Sequence, residues 1–223
     1  MEIVMVDYQL LIRSLPKLLQ GALVSIQIAA LSCTIGITLG IILGLVQSGK
    51  NKFLRILVGI YVTIFRGTPM LIQLTFAFFV LPEIGITLPA FWTAIVTIGL
   101  NSGAYVSQII RSGIKSVSKG QLEAAQVLGF SKMQTTRYIL LPQAIRTVVP
   151  ALGNEFITLV KDSSLASTIT VIELTKVGQR IQSTTFDALT IYTGVALIYL
   201  LMTSTLSFVI AKVEKRISKH VEN

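Results

Sequence analysis

Two stretches of this sequence place groups able to do chemistry among apolar neighbours. The first runs from Val148 to Leu174 and holds Asn154, Glu155, Thr158, Lys161, Asp162, Ser163 and Ser164. A charge near the centre of a bilayer is costly enough that its presence points to function. Glu155, Thr158 and Asp162 recur at i, i+3 and i+7, one stripe of a helix. Their oxygens suit an ammonium or amide group on a solute, and Pro150 and Gly153 would loosen the preceding turn and free backbone groups for a zwitterion. A helix-packing ion pair through Lys161 is the competing reading. It suits Lys161 and Asp162, adjacent charges near a helix end, better than Asn154 and Glu155.

The second stretch is Arg66-Gly67-Thr68-Pro69, which divides the apolar segment Leu54 to Leu81 into halves of about twelve residues, each too short to span alone. In one reading a kinked helix turns carbonyls and Arg66 toward a path, where the guanidinium attracts a carboxylate. In the other an interfacial helix precedes a tilted span beginning near Thr68, and Arg66 snorkels to the cytoplasmic surface. The second reading suits Arg66 better. Asn101, Ser102 and Tyr105 add hydrogen-bonding groups at spacings that share a helix face.

Gly44-Leu45-Val46-Gln47-Ser48-Gly49-Lys50-Asn51 approaches a phosphate-binding loop, with Asn51 where Ser or Thr should ligate magnesium. That motif needs a strand before it and a helix N-terminus after it. Here it ends an apolar span, so nucleotide chemistry is not expected of this chain.

The elements that must hold these groups follow from composition. Only 13% of the 223 residues are charged, against about 25% in soluble domains, and mean hydropathy is +0.76. Apolar blocks of spanning length recur, at Gly21 to Val46, within Leu54 to Leu81, at Ala90 to Ile110, at Val148 to Leu174 and at Ala188 to Ala211. The expected fold is all-α: a polytopic transmembrane helix bundle of about five spans forming one membrane domain over residues 1–223. Gly36, Gly40 and Gly44 form a stripe that admits a neighbouring helix backbone.

The net charge of +9 is gathered in short Lys and Arg clusters between blocks and at the C-terminus. That pattern places loops 47–55 and 111–146 and the C-terminal tail in the cytoplasm and the N-terminus outside, with Lys176 and Arg180 as a mild violation. It gives no basic face with aromatic interleaving, so a nucleic-acid partner is not expected. The first fifteen residues, with Glu2, Asp7 and Arg13, lack the pattern of a cleavable leader. Cys33 alone cannot form an internal disulfide, and the single His220 offers no metal site.

Between the spans, Lys119 to Pro142 is too polar to cross a membrane and too patterned to be slack. Ser118-Lys119-Gly120-Gln121 and Ser131-Lys132-Met133-Gln134 each fit a capping box. Gly129 permits the turn between two short helices, and Leu122, Ala125 and Leu128 share one face of the first. Such a unit can dock another protein or lie on lipid headgroups. Physical chemistry alone leaves both open.

Glu123-Ala124-Ala125, then Gly129, then Ile139-Leu140-Leu141-Pro142 resembles the EAA loop of ATP-binding-cassette importer permeases at its full spacing. Phe65-Arg66-Gly67-Thr68-Pro69, Asn101-Ser102-Gly103-Ala104-Tyr105, Ala151-Leu152-Gly153-Asn154-Glu155-Phe156 and Lys161-Asp162-Ser163-Ser164-Leu165 resemble signatures of the polar amino acid branch. The likeness runs from about residue 15 to 215. Gln108 departs from it, standing where many members carry glutamate. The resemblance implies the type I importer permease fold and a multi-pass place in the bacterial inner membrane. It implies coupling at about 112–145 through Glu123, Ala124, Ala125, Gly129, Leu141 and Pro142, and a substrate path near Arg66, Asn101, Ser102, Tyr105, Asn154, Glu155 and Thr158. Partners would be a pair of ATP-binding subunits carrying ATP and magnesium, a second permease (self or sister chain), an external binding protein, membrane lipid and a polar amino acid as cargo. No cofactor and no catalysis are expected of the chain itself. A secondary transporter would show inverted repeats, and none is visible.

Overall fold

The computed structural model describes residues 6–219, with side chains described to Arg216; Glu2, His220 and the Lys219 side chain fall outside this description. Among the described residues every regular element is helical. Helix α1 spans Tyr8–Ser48, α2 Lys52–Gly67 and α3 Met70–Thr75, which continues through a π turn (Phe76–Val80) and a 3-10 turn (Leu81–Ile84). Helix α4 spans Ala90–Ser116, α5 Lys119–Val127 and α6 Lys132–Thr135, which continues as a π turn over Thr136–Leu140. Helix α7 spans Leu141–Asp162 and runs into a 3-10 stretch, Ser163–Ile169; α8 spans Leu174–Thr185 and α9 Ala188–Lys219.

Helix α1 begins at Tyr8 rather than near Gly21 because Asp7 caps it, its Oδ1 accepting from the amides of Gln9 (2.9 Å) and Leu10 (3.0 Å). At 41 residues it is about 60 Å long, roughly twice the hydrocarbon thickness of a bilayer. Asn51 caps α2 in the same way, accepting from Phe53 and Leu54. The residue standing in the magnesium position of the phosphate-loop look-alike is therefore a helix cap between two helices.

By length and composition α1, α4 and α9 can each cross a membrane, and Lys52–Gly67 with Met70–Ile84 counts as a fourth crossing if taken as one broken span. Helix α7 is long enough at 22 residues but more polar. The segment read as one span to Leu174 is in fact interrupted. The α-helix stops at Asp162, the 3-10 stretch follows, and Thr170 ends it in the left-handed region at φ 71°. Helix α7 continues through Pro150 and Gly153 without a break, although Pro150 brings no N–H to its hydrogen-bond ladder.

The chain gathers into two compact units whose boundaries fall inside α1, α4, α7 and α9 and between α2 and α3. One comprises the described residues up to Thr34, Thr68–Gly99 and Phe156–Leu206. Its core is Leu18, Ala22, Leu174, Val195 and Ile198, with Val177, Ile181, Tyr199 and Met202 packed against it. Cys33 is buried here as a packed thiol. Glu173 is fully buried and satisfied throughout. Its Oε2 accepts from Tyr199 OH (2.9 Å), Ser25 Oγ (3.2 Å) and the Thr175 amide (2.9 Å), and its Oε1 from the Lys176 amide (2.8 Å). One carboxylate thus caps α8 and fastens it to α1 and α9.

The other unit comprises Ile35–Gly67, Leu100–Glu155 and the described residues from Ser207 onward. The glycine stripe of α1 meets α4. A Cβ on Gly36 would lie 2.7 Å from Ser102 Cβ, one on Gly40 would overlap Val106, and one on Gly44 would lie 2.7 Å from Ile110 Cβ. Backbone approach of this kind is what small residues permit between membrane helices. Helix α2 joins the pair through Val58 and Val62, which pack with Ala104. Tyr61 OH donates to the carbonyl of Leu100. Gly153 has a packing reason too: a Cβ there would sit 2.8 Å from Ile210 Cγ1 of α9.

Gly40→Val is expected to overpack the α1–α4 contact and lose about 1–3 kcal/mol, read as a lower unfolding midpoint in detergent. Glu173→Ala should lose about 2 kcal/mol or more, because Tyr199 and Ser25 keep buried hydroxyls without their acceptor. Glu173→Gln, which keeps an acceptor, should lose less in the same measurement.

Candidate functional site

Asn101, Tyr105, Gln108 and Ser112 recur along α4 at i, i+4, i+7 and i+11, one face of a helix. On α7, Thr147, Ala151 and Glu155 recur every four residues. The last three members of the α4 stripe and the whole α7 stripe line one cavity of about 300 Å³, together with Ile109 and with Arg66 from the end of α2. The chain thus sets one cation and one carboxylate around a single space otherwise edged by hydroxyls, an amide and apolar atoms.

Each charge is held by a neighbour. Asn101 Nδ2 donates to the carbonyl of Phe65 (3.0 Å), which ties down the end of α2 just before Arg66. The guanidinium carbon of Arg66 lies 5.0 Å from the centroid of the Tyr105 ring, within cation–π range. Ser102, fully buried, donates from Oγ to Glu155 Oε1 at 2.7 Å. That short, charge-assisted bond fixes one oxygen of the half-buried Glu155 carboxylate at the edge of the cavity.

Of the seven residues expected along a path, Arg66, Tyr105 and Glu155 meet at this cavity, while Asn101 and Ser102 support it from behind. Asn154 and Thr158 are exposed on α7 and do not line it. Lys161 is exposed and Asp162 half-buried at the end of that helix. Gln108, Ser112 and Thr147 were not expected as lining residues. Continuing the α4 stripe by whole turns from Asn101 is the signal that finds the first two.

The polar loop folds as two short helices, but only one of its two capping boxes forms. Ser131 Oγ accepts from the Gln134 amide (3.3 Å) while Gln134 Oε1 accepts from the Ser131 amide (2.8 Å). Ser118 begins α5 without a side-chain cap bond. Gly129 makes the turn at φ 82°, with its amide donating to Gln126 and the Phe130 amide to Ala125, both at 3.0 Å. This is the double-bonded glycine stop, and it leaves no strain-free alternative to glycine at that position. Ala125 is buried and Leu122 half-buried, but Leu128 faces outward at 76% exposure. The helix stops at Val127, so Leu128 no longer follows its period. Val127, Leu128, Met133 and Tyr138 make an exposed apolar surface, with Glu123, Ala124, Gly129, Leu141 and Pro142 also exposed.

Residues 36–219 match the family described as binding-protein-dependent transport system inner membrane component. The chain belongs to that family. It is 36% identical over 212 residues to the glutamine transport system permease protein GlnP of Escherichia coli (strain K12), covering 94% of this chain and 97% of that protein. It is 39% identical over 207 residues to the L-cystine transport system permease protein TcyB of Bacillus subtilis (strain 168), covering 92% of this chain and 88% of that one. Its fold matches a crystal structure of an amino acid ABC transporter with histidines at a TM-score of 0.90 and 36% identity, over 96% of this chain and all of that one.

As a binding-protein-dependent inner membrane component, the chain is an all-α multi-pass permease of the type I importer fold. It is a translocation subunit rather than an enzyme, and in this family a separate ATPase subunit hydrolyses ATP. The family also works with a second permease and a substrate-binding protein.

Proposed function

We propose that this permease passes a polar amino acid across the cytoplasmic membrane through a path that includes the Arg66–Tyr105–Glu155 cavity. One observation carries the reading: opposite charges held at one cavity, matching the carboxylate and ammonium that every amino acid presents. Glutamine and cystine in the names of two relatives support an amino acid as cargo.

The whole chain, residues 1–223, acts as one permease domain and pairs with a copy of itself or a sister chain. Its C-terminus lies in the cytoplasm with Lys212, Lys215 and Arg216, and its N-terminus outside. An external binding protein delivers the amino acid. The chain binds no cofactor; ATP and magnesium sit on the partner ATPase pair. That pair docks on the loop at about 112–145, with Glu123 as polar anchor, Gly129 holding the turn, and Ala124, Ala125, Leu141 and Pro142 shaping the surface. The exposed apolar residues around Gly129 support this, because such a surface on a cytoplasmic loop calls for a covering partner.

Glu155→Gln should lower uptake about tenfold or more in vesicles containing the complete importer, since a buried charge-assisted contact to the ammonium is lost. Uptake unchanged within twofold would remove Glu155 from the path. Glu123→Ala, which leaves the loop folded, and Gly129→Val, which strains its turn, should each lower ATP-driven uptake several-fold, with ATP hydrolysis no longer stimulated by loaded binding protein. Normal stimulation in both variants would contradict docking at this loop.

A further inference from the structure

One residue of the cavity is oriented by its surroundings to a degree that the charge pair alone does not require. Ser107, fully buried, donates from Oγ to the carbonyl of Ala104 at 2.7 Å. That bond uses its only proton, so toward its neighbour it can only accept. The atom of Gln108 that lies 3.1 Å from Ser107 Oγ is accordingly the amide nitrogen. The same nitrogen donates to Oε1 of the buried Gln47 at 2.7 Å. Both N–H bonds of Gln108 are thereby spent on its own unit. A flipped amide would set acceptor against acceptor at Ser107, whose proton is committed to Ala104. The side-chain carbonyl, Oε1, has no partner among the described residues, on a residue that lines the cavity.

The structure assigns Gln108 the reading of the substrate's side chain: its fixed Oε1 accepts an N–H from an uncharged group, which makes a carboxamide side chain the preferred cargo. This rests on the proposal that the cavity is the amino-acid path. Arg66 and Glu155 supply one charge of each sign, and the carboxylate and ammonium of the amino acid use both. A cationic side chain would then find dipoles but no further anion in the cavity lining. An anionic side chain would set its oxygens against Oε1. Either outcome leaves a desolvated charge unpaired, which is worse than placing an amide there. Ser112 and Thr147 carry hydroxyls that can donate or accept. They do not discriminate, whereas the locked amide does.

The test uses the permease–ATPase complex in lipid nanodiscs without the external binding protein, so that selection by that partner does not enter. Equilibrium binding of labelled L-glutamine is measured, with L-glutamate, L-arginine and L-alanine as competitors. The wild type is expected to hold glutamine more tightly than glutamate or arginine. Gln108→Leu should weaken glutamine about fivefold more than it weakens alanine, and Gln108→Glu should shift preference toward arginine. Glutamine affinity within twofold of wild type in Gln108→Leu, arginine preferred by the wild type, or no measurable glutamine binding would each overturn the assignment. If Gln108→Leu does not assemble with the ATPase, Gln108→Glu decides alone, and an unchanged preference there overturns it. Glu155→Gln separates the two levels. If it abolishes binding while Gln108→Leu keeps the glutamine preference, only the side-chain assignment fails. If it leaves binding unchanged, the path itself is elsewhere.

Discussion

The close approach of α1 to α4 through Gly36, Gly40 and Gly44 is the contact on which the candidate site depends. Lipid tails are as apolar as helix surfaces, so helices in a membrane gain little from hydrophobic burial and rely on packing instead. A Cβ at any of the three glycines would meet Ser102, Val106 or Ile110. Seating α4 this closely buries Ser102 completely, which directs its hydroxyl to Glu155, and buries Ser107, which locks Gln108. The glycine stripe is therefore also an instruction about where the polar face of α4 points.

Charge placement follows the same logic. A polar group in an apolar setting is costly unless a neighbour satisfies it. Glu173 shows the structural extreme, with every contact made inside its own unit, so that nothing is left for a ligand. Glu155 is placed differently, held at Oε1 by Ser102 and lining a cavity. The two carboxylates thus differ in place: Glu173 is fully buried and fastens three helices, while Glu155 is half-buried at the edge of a cavity.

Much of this was legible in the sequence. The glycine spacing announced a close helix contact, the Ser131–Gln134 pair announced its cap, and Gly129 announced its turn, because each is a local device that needs few distant partners. The polar residues Asn154 and Glu155 were equally visible in their apolar run. Which of them reaches the cavity was not, because periodicity gives a face and never the helix opposite it. Glu173 was passed over for the same reason: its importance lies in Ser25 and Tyr199, distant in the chain. The Ser118 box matched its pattern and still did not close, and the span drawn to Leu174 missed the 3-10 stretch, since hydropathy counts apolar residues without sensing how their backbone is wound.

The central claim is that the cavity recognises both charges of an amino acid, the ammonium at Glu155 and the carboxylate at Arg66. Ligand analogues test it without altering the protein: equilibrium binding of an amino acid to the permease–ATPase complex, set against its α-hydroxy acid, which lacks the ammonium, and its methyl ester, which lacks the carboxylate. Each analogue is expected to bind about tenfold or more weakly than the parent. An analogue that binds as tightly as the amino acid would show that the charge it lacks is not read at this cavity.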